Sequence, residues 1–296
     1  MIGVFDSGLG GLTVLKEFIR ELPDYDYIYL GDTARVPYGN RSAATVYEFS
    51  RQACDYLFGQ GCEVIIIACN TASGLALRKL QQDYLPAKNS DTKRILGVIR
   101  PVAEFFAGKN YKKIGVIGTR GTIASGVYKK ELEKISALKV KYVKYVKDVK
   151  CIKNSKDIKN DKIILPQIFG QATPLLVPLI EENWINRPET MKILRNYLRP
   201  FKSPRIQALI LGCTHYPLLI KQIRQVMGKQ VEVPNPAAIV AASFTDYLKR
   251  HPEIEIKLSK NKQRKYLVTD LTENFEQLAE RFLNQKLKLQ ITNIYK

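Results

Sequence analysis

Short runs of β-branched and aromatic residues recur along the chain, and most end in a cluster of small polar residues. The runs are IGVF (2–5), YDYIYL (25–30), EVIIIA (63–68), RILGVI (94–99), KIGVIG (113–118), ALILG (208–212) and VEV (231–233). They are short, bounded by turn-forming residues and rich in β-branched side chains, so they predict strands. Between them, helix-length segments are predicted over 11–22, 42–59, 74–84, 121–135, 174–182, 189–199, 216–228, 236–250 and 272–284. Near-continuous apolar strands that alternate with helices indicate parallel sheets covered on both faces, hence an α/β fold. At 296 residues the chain exceeds what one compact core usually needs, so two lobes are expected, each a largely parallel sheet flanked by helices. The first is placed over 1–97 and about 208–296, the second over 98–207.

In such folds ligands bind beyond the C-terminal ends of the strands. The polar punctuation sits at those ends: DSG after the first strand, GDT after the second, CNT after the third, GT after KIGVI and CTH after ALILG. Two stretches repeat one plan. VIIIACNTAS (64–73) ends its apolar run in Cys69, and ALILGCTHYP (208–217) ends its run in Cys213. One thiol per lobe, facing a shared cleft, would give the repeat a purpose. A helix N-terminus after each thiol would offer free N–H groups and a positive dipole end, which lower a thiol's pKa. Cys69 and Cys213 are therefore candidates for proton transfer, whereas Cys54, in a helical pattern, and Cys62, just before a strand, read as small buried hydrophobes. His215 follows Cys213 by two residues. If the chain is still extended there, the two side chains point the same way and the imidazole can assist the thiol. His251, before Pro252, reads as a loop residue without a partner.

Asp6 and Ser7 follow the first strand, and Gly8, Gly10 and Gly11 turn the chain into a helix. A dinucleotide fingerprint would need glycine where Thr13 stands, and no Gly-Lys-Ser/Thr follows, so both nucleotide readings are rejected. The turn can still hold a carboxylate on its N–H groups, and Asp6 can hold a substrate ammonium or accept from Cys69. The loop GDTARVPYG (31–39) adds binding candidates. No arginine follows either cysteine at phosphatase-loop spacing, and no G-x-S-x-G elbow occurs.

The five cysteines form no C-x-x-C pair, and there are two histidines, which argues against a disulfide framework or a structural zinc site. No apolar run approaches the ~20 residues of a bilayer span. The N-terminus MIGVFDSG carries no basic signal-peptide region, so a cytoplasmic location is expected. The net charge of +19 raises the question of a nucleic-acid partner. Residues 129–162 alone hold 12 Lys against 5 Asp or Glu, with a lysine at every third position from 141 to 162. That period fits neither a strand nor one helix face, and no nucleic-acid-binding motif accompanies it, so the stretch reads first as a solvated, low-complexity insertion.

The motifs GVFDSGLGGLTVL, YLGDTARVPYG, VIIIACNTAS and LILGCTHYPLL, in this order, resemble those of the cofactor-independent glutamate racemases of bacterial cell-wall synthesis. Weaker likeness in KIGVIGTRGTIASGVY, TPLLVPLIEENW and YLVTDLTENFEQLAERFL extends it over most of the chain. The resemblance implies two α/β lobes with the active site between them, and a two-base proton transfer with no cofactor and no metal. It makes Cys69 and Cys213 the acid/base pair, with Asp6 and His215 as their respective helpers and Glu181 assisting near Cys213. Ser7, Tyr38, Gly39, Asn70, Thr71 and Thr214 are then substrate-binding, with Asp6, His215, Thr119 and Thr122 adding contacts. The substrate implied is glutamate, another amino acid such as aspartate being the near alternative. A homodimer is admitted as an assembly state, no membrane is involved, and the charge leaves nucleic acid open as a secondary partner. Three departures stand out. The family often reads Ala-Cys-Pro where this chain has Ala172-Thr173-Pro174. VPNPAA replaces a usually more polar segment, and the Lys-rich stretch at about 144–165 is extra to the second lobe.

Overall fold

The computed structural model describes residues 1–88, 92–148 and 165–295, with the backbone alone for 139–148 and 273. It is an α/β protein built on two parallel sheets. The larger contains β1 (Ile2–Asp6), β2 (Tyr27–Gly31), β3 (Val64–Ile67), β4 (Arg94–Gly97), β8 (Arg264–Val268) and β9 (Gln290–Ile291), in the order β4-β3-β1-β2-β8-β9. The smaller has the order β6-β5-β7, from β5 (Lys113–Gly118), β6 (Gln167–Ala172) and β7 (Ala208–Gly212). Every residue of β1, β2, β3 and β7 is buried, as parallel strands covered by helices on both faces require.

β7 corrects the expected lobe boundary. It pairs with β5 from Ile114↔Ala208 to Gly118↔Gly212, so the chain from 208 belongs at first to the second sheet. It is β8 that returns to the larger sheet, pairing with β2. A strand apolar on both faces can complete either sheet, and its own pattern carries no record of which. Residues 231–233 form no strand; Glu232 makes only an isolated bridge with Ala208.

Register places the site. β1 lies between β2 and β3, with Phe5 opposite Ile67, so Asp6 and Ser7 leave the sheet beside Cys69. β5 lies between β6 and β7, with Gly118 opposite Gly212, so Thr119 leaves beside Cys213. The first helix after β5 is interrupted at Gly126, whose φ of +61° suits glycine, and a second helix, Val127–Asp148, follows. That helix enters the stretch expected as an insertion. A three-residue lysine repeat drifts around a helix and so gave no sign of it. The remainder of the insertion lies outside the described residues. No helix among the described residues is long and apolar enough to cross a membrane.

Candidate active site

Cys69 lies two residues past β3 and caps the N-terminus of the Asn70–Leu75 helix from an extended conformation. Only 6% of its surface is exposed. The Ser7 hydroxyl lies 3.3 Å from its sulfur. Asp6, expected to accept from Cys69, instead takes the Gly8 N–H at 3.0 Å and the Thr214 hydroxyl at 3.5 Å. Burial pushes the Asp6 carboxyl up, against the nearby His215 charge and its N–H donors. The helix N-terminus was expected to lower the Cys69 pKa. Burial instead pushes the thiol up to about 12, with Asp6 and Cys213 adding to it, and outweighs the Ser7 hydroxyl and the Ala72 N–H. Desolvating a thiolate costs more here than those donors return.

Cys213 follows β7 directly and is equally buried. Its chain is not extended: His215 has helical angles, φ −77° and ψ −30°. A turn therefore brings His215 Nδ1 to 3.8 Å from the Cys213 sulfur. The other ring nitrogen, Nε2, lies 3.0 Å from the Glu181 carboxylate. Burial alone would lower the His215 pKa, but Cys213 and Glu181 outweigh it and hold it at about 10. The ring is thus charged at neutral pH and sets a positive group against the Cys213 sulfur. Phe282 packs edge-on against it, at 5.3 Å.

Several contacts tie the thiol loops to the segments that follow β1 and β5. The Thr13 hydroxyl donates to the Thr214 carbonyl at 2.8 Å. Gly10 lies so close beneath that a Cβ would come within 2.4 Å of both His215 Nδ1 and Thr214 Oγ1. Thr71, Thr119 and Thr122 form a hydroxyl triangle, with separations of 2.9, 3.3 and 3.0 Å. Gly39 fits against it, where a Cβ would lie 2.7 Å from Thr119 Cβ. The Tyr128 phenol donates to Asn70 Oδ1 at 2.6 Å. Asp6, Ser7, Asn70, Thr71, Thr119, Thr122, Thr214 and His215 therefore gather around the two thiols.

Tyr38 is placed differently. Its hydroxyl donates to the buried Asp32, which also accepts from Arg35 and Thr269. Its side chain is thus engaged by Asp32 rather than by the two thiols' hydroxyl neighbours. Outside the site, Cys54 and Cys62 are fully buried, while His251 does have a partner, Glu253, at 3.0 Å. Thr13, Asp32 and Tyr128 were missed by sequence reasoning. Each acts through a bond that the local pattern does not encode, although all three stand inside motifs already noted. Among the described residues, no three His, Cys, Asp or Glu side chains converge as a metal site would need.

No family model matches the chain. It is 35% identical over 294 residues to the glutamate racemase of Aquifex aeolicus, covering 99% of this chain and 97% of that one. The chain belongs to the glutamate racemase family. Among solved structures, the glutamate racemase of Francisella tularensis in complex with D-glutamate superposes with a TM-score of 0.80 at 31% identity, covering 99% of this chain and 97% of that one. The Picrophilus torridus aspartate racemase has a TM-score of 0.50 at 16% identity, covering 84% of this chain and 94% of that one, a likeness of fold alone. Thr173 stands where glutamate racemases often carry cysteine. It is fully buried, and its hydroxyl lies 2.6 Å from that of Tyr216.

Proposed function

We propose that this protein interconverts L- and D-glutamate by a two-base proton transfer between Cys69 and Cys213. One sulfur, as thiolate, removes the α-proton from one face of the substrate. The other, as thiol, returns a proton to the opposite face, and the roles exchange for the reverse direction. The observation that carries this reading is that two buried thiols stand at strand ends of two different sheets, Cys69 beside the Ser7 hydroxyl and Cys213 beside the His215 ring, with the two segments linked by the Thr214 hydroxyl donating to Asp6. A reaction that starts from either enantiomer needs interchangeable groups on opposite faces. The α-proton beside a carboxylate is a very weak acid, so donors aimed at the developing carbanion must supply much of the stabilisation. Ser7, Asn70, Thr71 and Thr214 are the groups for the two carboxylates, with Asp6 for the ammonium and Thr119 and Thr122 behind Thr71.

His215, held by Glu181, assists Cys213 by placing a positive charge beside its sulfur. Asp6 influences Cys69 through charge, and Ser7 does so through a hydrogen bond. The lobes are proposed as 1–97 with the chain from β8 onward, and the intervening chain through β7. The role that follows is cytoplasmic supply of D-glutamate for peptidoglycan synthesis.

The test is incubation of the purified protein with L-glutamate in D2O, without added cofactor, followed by polarimetry and NMR. Loss of optical activity with deuterium entering the α-position is the expected result. Absence of exchange with glutamate would overturn the assignment, and exchange with aspartate alone would move it to a sister racemase.

A further inference from the structure

We infer that Tyr128 is a positioning residue for this reaction: its phenol sets the orientation of the Asn70 amide and thereby aims that amide's N–H donors at the substrate. The inference rests on the reading of the site given above. Asn70 is the first residue of the helix after Cys69, in the chain that follows the larger sheet. Tyr128 stands in the first turn of the Val127–Asp148 helix, which follows β5 of the smaller sheet. Their 2.6 Å hydrogen bond thus runs from one lobe to the other. Tyr128 is 3% exposed and Asn70 7%, and both line a small cavity that also touches Cys213 and Thr214.

A side-chain amide has two faces of opposite chemistry, one acceptor oxygen and one nitrogen with two donors. Glutamate's carboxylates can use only the donors. The phenol is itself a donor, and burial pushes its pKa up, so it keeps its proton throughout the neutral range. A donor on Oδ1 forces the amide nitrogen to the other side. Among the described residues Asn70 Oδ1 is engaged by Tyr128, and no protein acceptor takes Nδ2. Without the phenol, the amide loses this preference and can turn its oxygen toward the substrate carboxylate, where like partial charges repel. Because the bond joins the lobes, the correct amide orientation is also tied to their approach.

Tyr128→Phe keeps the ring and removes only the donor. The expected result is a KM for glutamate raised about tenfold, since a donor to a substrate carboxylate is no longer held in line. Asn70→Ala is expected to raise KM at least as far, and the double variant no further than Asn70→Ala alone. A purely structural tyrosine would instead lower the melting temperature and leave KM intact, and its effect would add to that of Asn70→Ala. Unchanged KM in Tyr128→Phe, or additivity in the double variant, overturns the inference while an active wild-type protein sustains the functional reading. A wild-type protein silent on glutamate overturns both.

Discussion

Cys69 caps a helix, touches a hydroxyl and lies near a buried carboxyl, whereas Cys213 precedes a turn and faces an imidazolium held by a glutamate. The strand-then-thiol plan is the same in both lobes, but the electrostatics are not. Around Cys69, burial and Asp6 favour the protonated thiol. Around Cys213, the neighbouring group is the charged His215 ring. The two thiols therefore meet unlike neighbours, a buried carboxyl and a cation, although the proposed reaction asks each sulfur to play both parts. The difference teaches that equal function in two directions does not require equal surroundings.

Removing a thiol tests the shared part of that scheme and carries the largest effect. Cys69→Ser and Cys213→Ser should each lower kcat/KM about a thousandfold in both directions, because a hydroxyl is a far weaker acid than a thiol and general acid–base groups contribute on this scale. Circular dichroism assays started from L- and from D-glutamate would show it. A variant that keeps near-normal turnover in either direction would remove its sulfur from the scheme.

The unshared part is tested next. His215→Asn removes a charge beside Cys213 and should lower kcat about a hundredfold, while Ser7→Ala removes one neutral hydrogen bond at Cys69 and should cost about fivefold. Equal losses would mean that the asymmetry of charge has no kinetic weight. The pH profile sharpens the same contrast. The folded His215 pKa of about 10 lies above its ordinary 6.5 because Cys213 and Glu181 outweigh burial. The ring is therefore charged below about pH 10 and neutral above it. Its contribution to stability is complete below pH 6.5 and is lost as pH rises through about 10. Turnover should fall along a limb near pH 10 in the wild type, and that limb should be missing from His215→Asn.

What was legible in the sequence follows the same physics. Strands such as Val64–Ile67 and Ala208–Gly212 announce themselves because burial on both faces demands continuous apolar residues. β6 (QIFGQA) escaped notice because none of its residues is fully buried and Gln167 and Gln171 interrupt the apolar pattern, and β8 (RKYLV) because it opens on two cations. The strand-end rule pointed to the segments that hold Asp6, Ser7, Cys69, Asn70, Thr71, Thr119, Thr214 and His215, which the fold brings together, while the individual binding residues came from the family resemblance. It could not show which sheet β7 completes or that Asp32 would claim the Tyr38 hydroxyl. Nor could it show that Tyr128 would meet Asn70 across 58 residues of chain. Those outcomes depend on which elements become neighbours, and local pattern does not state that.

The smallest effect concerns Thr173, on the Cys213 side, which the first lobe does not match. Its hydroxyl lies 2.6 Å from that of Tyr216, three residues beyond Cys213, and 3.3 Å from the Gly118 carbonyl. Tyr216 has a second acceptor, the Thr173 carbonyl, at 3.2 Å. Thr173→Val keeps the shape and removes the hydroxyl alone. It should cost about 1–2 kcal/mol, or about 2–4 °C of melting temperature, because the hydroxyl's contacts with Tyr216 and the Gly118 carbonyl are lost while Tyr216 keeps another acceptor. Racemisation should stay within about twofold, since the hydroxyl acts on the turn and not on the sulfur. Calorimetry and a kinetic assay would separate two cases. A lower melting temperature with turnover kept would mark Thr173 as support for the Cys213 turn. A large loss of turnover with the melting temperature unchanged would instead make it part of the proton-transfer site, and the asymmetry between the two thiols would then extend beyond His215 and Glu181.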